Sequence, residues 1–377
     1  MEKKVLIVAG ETSGDLYGAH LIKAIHQFDP NIIFFGIGGD HLKESGMRII
    51  FHSKLLSVVG ITEVLPKLGS IFKAIQILKK SLDQEKPNLV ILIDFPDFNL
   101  RLAKSIKKKG IPIVYYISPQ IWAWRPKRIN LIAKRINKMI VFFQFEVPLY
   151  EAVGVDVEWI GHPLLDLVKP TLPKEIAFKK FGLNPEKTTI ALLPGSRSHE
   201  IKRLLPPLIE SAKILFYKIP GLQFVIPLAS GISKSSILSF LKDIHFPLEV
   251  IEGFTYDIMN ISELLLTASG TATLEGAILG KPMVIIYKVS WPSYLIGRFM
   301  IKVDRIGLVN LVAEKKIVPE LIQNEVKPER ISEETLNILK NPHRFQKMKD
   351  ELSKVRFKLG EPGASARAAR IITSLLP

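Results

Sequence analysis

Short apolar runs alternate with helical patterns along most of the chain. In residues 97–109, for example, Leu100, Ala103 and Ile106 fall on one helical face, and Gly110 is placed to end the helix. Continuous apolar runs between such helices are typical of strands buried in parallel sheets. The pattern predicts an α/β chain with strands at residues 5–9, 32–35, 89–93, 113–116, 138–143, 190–193, 223–227, 264–267 and 283–287.

A proline-rich break near residues 163–187 divides these strands into two sets. We therefore expect two Rossmann-like domains whose parallel sheets face each other across a cleft. The predicted first domain covers residues 1–165, and the second covers residues 166–345. Residues 346–377 are helical by pattern and contain no predicted strand, so we expect these C-terminal helices to cross back and pack on the first domain.

The composition excludes several kinds of site and leaves the partner open. The 377 residues include no cysteine, which excludes disulfides, thiolate zinc sites, iron–sulfur clusters and a cysteine nucleophile. The formal net charge of +16 indicates an anionic partner, which could be nucleic acid, an anionic membrane surface or a phosphorylated substrate. No nucleic-acid module is recognisable, and no run reaches the roughly 18 apolar residues that span a bilayer. We expect a cytoplasmic protein, soluble or bound peripherally to a membrane, that does not bind nucleic acid.

The loop at residues 10–15 follows the first predicted strand and opens a helix. In parallel sheets, ligands bind beyond the carboxyl ends of the strands. Small residues such as Ser13 and Gly14 let backbone N–H groups approach an anion, and Asp15 adds a carboxylate. A tight strand-to-helix turn explains the loop equally well. The dinucleotide fingerprint is absent, which argues against a nicotinamide enzyme, and neither a Walker A loop nor H-E-x-x-H occurs.

Two carboxylates and an amide follow the strand at residues 89–93. They are Asp94, Asp97 and Asn99. One carboxylate beside an acceptor hydroxyl could act as a general base, which is worth about 10²- to 10⁴-fold in rate. The alternative is a helix cap, although both aspartates cannot cap the same position. A metal pair is not favoured, because no third carboxylate or histidine lies nearby in the sequence.

Gly195, Ser196 and Arg197 follow the strand at residues 190–193 and precede a helix. A glycine turn, a hydroxyl and a guanidinium at a helix start form a plausible diphosphate site. As an exposed ion pair instead, the arginine would contribute far less.

A second phosphate-binding pattern follows the strand at residues 264–267. Ser269, Gly270 and Thr271 open a helix whose free N–H groups suit a phosphate. Glu275, one turn further on, could accept hydrogen bonds from ribose hydroxyls. Its alternative is an ordinary early-helix glutamate that complements the helix dipole.

Two segments indicate contact with lipid. Residues 125–138 carry basic side chains and no acid, and their basic face could lie on anionic lipid or simply face water. Trp122 and Trp124 lie just before them. Residues 55–82 are unusually apolar and could shelter an acyl chain or touch a bilayer, with a packed core helix as the alternative.

Taken together and in order, these motifs resemble the bacterial lipid-A-disaccharide synthase family over nearly the whole chain. Each motif alone is weak, whereas the ordered set is highly specific. The motifs are AGETSGD (9–15), IDFPDFN (93–99), SPQIWAWRPKR (118–128), IGHPLLD (160–166), LLPGSR (192–197), ASGTATLE (268–275), GLVNLVA (307–313) and GEPGASARAA (360–369).

The resemblance implies an inverting glycosyltransferase of the B-type fold that needs neither a metal nor another cofactor. The implied donor is UDP-2,3-diacylglucosamine, and the acceptor is 2,3-diacylglucosamine 1-phosphate (lipid X). The products would be the β-1′,6-linked lipid A disaccharide 1-phosphate and UDP. The expected location is peripheral, on the cytoplasmic face of the inner membrane of a Gram-negative bacterium. The sequence leaves a homodimer open, and a transferase acting on UDP-N-acetylglucosamine without acyl chains is the alternative.

The resemblance also implies roles on the donor side, in the second domain. Gly270 and Thr271 would hold the diphosphate, and Arg197 would neutralise charge as UDP leaves. Glu275 would hold the ribose, and Asn310 would hydrogen-bond the donor.

On the acceptor side, the resemblance favours Asp97 as the general base for the 6-hydroxyl, with Asp94 and Asn99 positioning. Both aspartates match the family pattern, so Asp94 is the alternative base. Ser13, Gly14 and Asp15 would contact the sugar or phosphate of the acceptor. Phe95 departs from the smaller residue expected between the two aspartates and would narrow the acceptor pocket.

Overall fold

A computed structural model describes residues 2–56, 68–122, 125–229, 231–242, 244–291, 294 and 305–377. The described residues form two compact units. The first unit takes in the residues up to Pro163 together with Leu359–Pro377, and the second takes in those between Leu164 and Lys358. The change of unit near the C-terminus therefore falls at Leu359, whereas the sequence prediction placed it at residue 346.

The first unit is built on a seven-stranded sheet in the order β3-β2-β1-β4-β5-β6-β7, and every neighbouring pair is parallel. Its elements up to the last strand are β1 Lys4–Ala9, α1 Thr12–His26, β2 Ile33–Gly38, α2 Asp40–Glu44, β3 Arg48–His52, α3 Leu68–Glu85, β4 Leu89–Ile93, α4 Pro96–Lys107, β5 Ile113–Tyr116, α5 Ile129–Arg135, β6 Lys138–Val141, α6 Val147–Glu151 and β7 Asp156–Trp159.

The second unit is built on a six-stranded parallel sheet in the order β10-β9-β8-β11-β12-β13. Its elements are α7 Leu164–Leu167, α8 Lys174–Phe181, β8 Thr188–Leu193, α9 Ser198–Lys218, β9 Leu222–Leu228, α10 Lys234–Leu238, β10 Leu248–Glu252, α11 Thr255–Ile261, β11 Leu264–Ala268, α12 Thr271–Ile278, β12 Met283–Tyr287, α13 Leu308–Ala313, β13 Glu320–Ile322, α14 Pro328–Leu339 and α15 Pro342–Lys358.

The central strands of both sheets are buried along nearly their whole length. Every residue of β4, for example, is fully inaccessible to solvent. Helices on both faces of a parallel sheet bury both sets of side chains, which explains why these strands are apolar at consecutive positions. The predicted α/β class with two parallel sheets is confirmed.

The last helix, α16 (Ala364–Ser374), returns to the first unit and packs against α1. The connection is fixed by backbone and side-chain hydrogen bonds. The amide of His162 donates to the carbonyl of Leu359 (2.9 Å), and Nε of Arg367 donates to the carbonyl of Ile160 (2.8 Å). The expected return of the C-terminal helices to the first domain holds for α16, whereas α15 belongs to the second unit. In the part of the chain that the structure describes, no helix is both long and apolar enough to cross a membrane.

Candidate active site

The topology of the first sheet brings two of the predicted loops together. Strand β1 is flanked by β2 on one side and by β4 on the other, with Ala9 paired to Ile93 at the carboxyl end. The chain thus leaves the sheet in opposite directions after β1 and β4, and such a switch point opens a crevice where ligands bind. The loops that begin at Gly10 and Asp94 lie side by side at this point.

The backbone at Asp94 is strained and held in place. Asp94 (φ 44°) and Phe95 (φ 47°) are both left-handed, a conformation that costs about 1–3 kcal/mol for each non-glycine residue. The hydroxyl of Tyr115 donates to the Asp94 carbonyl (2.6 Å). The Asn99 amide donates to the carbonyls of Asp94 (2.7 Å) and Ile93 (3.1 Å). These hydrogen bonds hold the backbone of the turn in place, and with it the direction in which the Asp94 carboxyl points.

The Asp94 carboxyl is half-buried beside another acid. Its pKa is raised to about 7, mainly by desolvation and also by the charge of Glu11, while the hydrogen bond from the Phe95 amide opposes the rise. A carboxyl that titrates near neutral pH is suited to general base catalysis. Glu11 was not among the predicted site residues, although it follows β1 at the same end of the strands as Asp94.

Asp97, the predicted general base, has different surroundings. Its side chain is 61% exposed and forms ion pairs with Arg125 (Oδ1 to Nη1, 3.0 Å) and Arg128. Both arginines belong to the basic segment at residues 125–138. Asp97 thus joins α4 to this segment and lies outside the strained turn that holds Asp94.

Three residues that were predicted to bind the acceptor are buried: Asn99, Asp15 and Gly14. Asn99 is fully inaccessible, and its amide holds the strained turn. The Asp15 carboxylate accepts hydrogen bonds from three amides at the start of α2: those of Gly39 (2.6 Å), His41 (3.0 Å) and Leu42 (3.2 Å).

Gly14 is buried because α1 lies against β4, and a Cβ at Gly14 would come within 3.2 Å of Cγ2 of Ile93. Ser13 is half-buried in the first turn of the same helix. Among the predicted contact residues Ser13, Gly14 and Asp15, Ser13 is thus the one that remains accessible to solvent.

The second unit repeats the arrangement. Strand β8 is flanked by β9 and by β11, with Leu193 paired to Thr267. The loops at residues 194–197 and 269–271 therefore start from adjacent strands at one edge of the sheet. The structure brings together the two phosphate-binding patterns that lie about 75 residues apart in the sequence.

The loop at Gly195 already binds an anionic group, the carboxylate of Glu200. The Glu200 carboxylate accepts hydrogen bonds from the amides of Ser196 (3.1 Å) and Arg197 (3.2 Å) and from the Arg197 guanidinium (3.1 Å). Gly195 has φ 110°, and a Cβ there would lie 2.4 Å from Glu200 Oε2. Glu200 is the third residue of α9, where a capping glutamate is favoured, so its position in the sequence already signals this role.

The space beside the Gly270 backbone is unoccupied by other protein atoms. Gly270 has φ 154°, and a Cβ built on it would meet no atom within 4 Å. Ser269 donates from its hydroxyl to the carbonyl of Ile306 (3.1 Å), while Thr271 is exposed at the start of α12. A ligand can therefore approach the backbone of this helix start closely.

Glu275 is half-buried on α12. Burial raises its pKa to about 7. In the residues that the structure describes, its carboxyl has no hydrogen-bond or ion-pair partner. A desolvated polar group without a partner is unfavourable, so a ligand hydroxyl would stabilise it.

Asn310, predicted to contact the donor, is fully buried and its hydrogen bonds are internal. Its Oδ1 accepts from the amides of Ile317 (2.8 Å) and Val318 (3.1 Å), and its Nδ2 donates to Glu320 Oε1 (2.8 Å). Glu320 in turn accepts from the amides of Ile306 and Gly307. Asn310 therefore fixes the backbone that receives the Ser269 hydroxyl.

Of the two predicted lipid-contact segments, residues 125–138 are fully described and residues 55–82 are described in part. Residues 57–67 and Trp124 lie outside the described residues. On α3, Phe72 is 63% exposed, while Ala74 and Leu78 are buried. Helix α3 thus has a core face and an apolar residue in solvent.

The fold of the chain is similar to that of several solved α/β proteins. A solved UDP-N-acetylglucosamine 2-epimerase from Neisseria meningitidis, bound to UDP-N-acetylglucosamine, superposes with a TM-score of 0.63 at 16% identity, covering 98% of each chain. A calicheamicin glycosyltransferase superposes with a TM-score of 0.63 at 12% identity, covering 100% of this chain and 98% of that one.

The chain belongs to the lipid-A-disaccharide synthetase family, whose sequence model matches residues 5–374. The lipid-A-disaccharide synthase of Syntrophus aciditrophicus is 49% identical over 375 residues, which are 99% of this chain and 98% of that protein. The family, the hexosyltransferase class and the B-type fold expected from the sequence motifs are confirmed.

Proposed function

We propose that the chain transfers the 2,3-diacylglucosaminyl group of UDP-2,3-diacylglucosamine to the 6-hydroxyl of lipid X. The acceptor oxygen forms a bond to C1 of the donor sugar while the bond from C1 to the UDP oxygen breaks. The hydroxyl proton passes to a protein carboxylate, and the bonding electrons leave with UDP. Membership of the synthetase family, together with two phosphate-binding loops at adjacent strand ends of the second unit, carries this proposal.

The donor binds to the second unit. Amide groups of Gly270 and Thr271 at the start of α12 receive the diphosphate, and the Arg197 guanidinium neutralises the charge that develops as UDP leaves. Donors fixed in advance near a leaving group stabilise the transition state, so no divalent ion is required. Glu275 accepts hydrogen bonds from the ribose hydroxyls.

Glu200 prepares the loop at residues 195–197 for the donor. Its carboxylate occupies the position that a phosphate oxygen would take between the amides of Ser196 and Arg197. A bound diphosphate displaces this carboxylate from the Arg197 guanidinium.

The acceptor binds to the first unit, and Asp94 takes its proton. The raised pKa of Asp94 and the rigid turn around it fit the role of general base better than the exposed, ion-paired surroundings of Asp97. Asp97 keeps Arg125 and Arg128 in place, where the two guanidiniums bind the 1-phosphate of the acceptor. Ser13 contacts the acceptor sugar.

The protein works peripherally on the cytoplasmic face of the inner membrane. The basic segment at residues 125–138 and the exposed Phe72 of α3 support contact with anionic lipid. A homodimer is compatible with this placement.

The rate should depend on pH through Asp94. The general base must be deprotonated, so the pKa of about 7 predicts that kcat/KM rises roughly tenfold per pH unit below pH 7 and levels off above it. Burial raises this pKa above the ordinary value for aspartate, so activity is lost on the acid side of neutrality. Initial rates measured between pH 5 and 9 check this, and a flat profile down to pH 5 would contradict it.

Labelled donors of two kinds test the substrate class. With lipid X as acceptor, UDP-2,3-diacylglucosamine should give a labelled disaccharide, and UDP-N-acetylglucosamine should give none. Transfer from the non-acylated sugar alone would reject the proposed substrate while leaving a hexosyltransferase.

A further inference from the structure

A cavity of about 450 Å³ opens on the second unit, between the segment that leads into β13 and the first half of α15. Its floor is apolar, since Val318 and Met348 are both buried. Its charged rim consists of Lys315, Lys316, Arg344, Lys347 and Glu351.

The rim has more cations than its one carboxylate can balance. Glu351 accepts from Lys315 (2.6 Å) and from Lys354 (2.8 Å), so it is shared between two lysines. Arg344 pairs with Glu334 (2.8 Å), which does not line the cavity.

Lys316 and Lys347 have neither a hydrogen-bond nor an ion-pair partner in the described part of the chain. Both are exposed. Folding therefore brings two unbalanced ammonium groups to one cavity, beside a guanidinium that is half-buried. Like charges on the rim of one cavity repel one another, and a bound anion would relieve that repulsion.

The cavity is separate from the loops proposed to hold UDP. Those loops follow the carboxyl ends of β8 and β11, whereas Pro319 lies at the amino end of β13 in the same parallel sheet. The cavity and the UDP loops therefore lie at opposite ends of the strands of one sheet. A diphosphate bound at the UDP loops therefore does not balance the positive charge of the cavity rim.

We propose that this cavity binds a ligand carrying a phosphate group, held by Lys316, Lys347 and Arg344 over the apolar floor. Lysine ammonium groups act as point charges for phosphate, and arginine presents a planar fork of donors. The same chemistry suits a free phosphorylated metabolite and the headgroup of an anionic lipid. The proposal does not rest on the assignment of the donor site.

Two double variants test the site in the full-length protein. Lys316→Ala with Lys347→Ala removes the unbalanced ammonium groups. Lys213→Ala with Lys218→Ala removes two exposed lysines of α9 that do not line the cavity, and it serves as the control of equal charge change. Pyrophosphate binding is titrated by calorimetry with UDP in excess, so that the donor loops are filled. Co-sedimentation with phosphatidylglycerol vesicles, against phosphatidylcholine vesicles, forms the second arm.

We expect the cavity variant to weaken binding at least tenfold in one arm, while the control variant binds like the unmodified protein. A loss confined to pyrophosphate identifies a soluble ligand, and a loss confined to phosphatidylglycerol vesicles identifies a lipid headgroup. If both variants behave alike in both arms, or if the unmodified protein binds neither probe, the proposal is overturned. Turnover of the cavity variant in detergent should stay within about twofold of normal, so a failure here is distinguishable from failure of the proposed transferase function.

Discussion

Replacing Asp94 with asparagine is expected to lower kcat by about 10²- to 10⁴-fold, because an amide cannot take the proton of the acceptor hydroxyl. The side chain keeps its size, and the backbone hydrogen bonds from Tyr115 and Asn99 go to the carbonyl of residue 94, so the strained turn should survive. Steady-state assays with saturating donor and acceptor measure the loss. Circular dichroism and thermal unfolding check that the protein is folded.

Asp97→Asn is the matched control for this experiment. It removes an exposed carboxylate from the same motif and, with it, the ion pairs to Arg125 and Arg128. We expect mainly a higher KM for the acceptor, because the two guanidiniums lose their anchor. A loss of kcat in Asp97→Asn that equals or exceeds the loss in Asp94→Asn would assign the base to Asp97, as the sequence alone suggested.

Arg197→Ala is expected to weaken UDP binding by about 10- to 100-fold. A charge-assisted hydrogen bond is worth about 1.5–3 kcal/mol, and each 1.4 kcal/mol corresponds to a factor of ten in affinity. The variant also leaves the Glu200 carboxylate without its guanidinium partner, next to the diphosphate position. Titration calorimetry with UDP measures the change.

The control for this change is Arg203→Ala, which removes a guanidinium from α9, the helix that follows Arg197 directly. Its UDP affinity should stay within about twofold of the unmodified protein. Equal UDP affinity in Arg197→Ala and in the unmodified protein would show that the guanidinium does not contact the nucleotide.

The sequence predicted the central strands of both sheets and missed β3, β7, β10 and β13. All four lie at the edges of their sheets. An edge strand is covered less completely, so it keeps polar residues between its apolar ones, as in the DVEW of β7. The search for continuous apolar runs therefore finds central strands and passes over edge strands.

The strand ends gave the location of the candidate site, because a loop that follows a buried parallel strand must lie at one edge of the sheet. They did not give the role of each polar residue there. Asp15 and Asn310 are suited to a ligand by type, yet both have protein partners. The hydrogen bonds of Asp15 come from backbone amides 24 to 27 residues further along the chain, and those of Asn310 involve groups 7 to 10 residues further along. Glu11 acts on Asp94, which only the folded chain brings near, whereas the role of Glu200 follows from its position as the third residue of α9.

A crystal structure of the chain grown with both UDP and magnesium tests the central claim most directly. The account predicts diphosphate oxygens within about 2.7–3.2 Å of the amides at the start of α12 and of the Arg197 guanidinium, with no metal ion between phosphate and protein. A diphosphate bound away from residues 195–197 and 269–271, or a magnesium ion bridging it to the protein, would contradict the account.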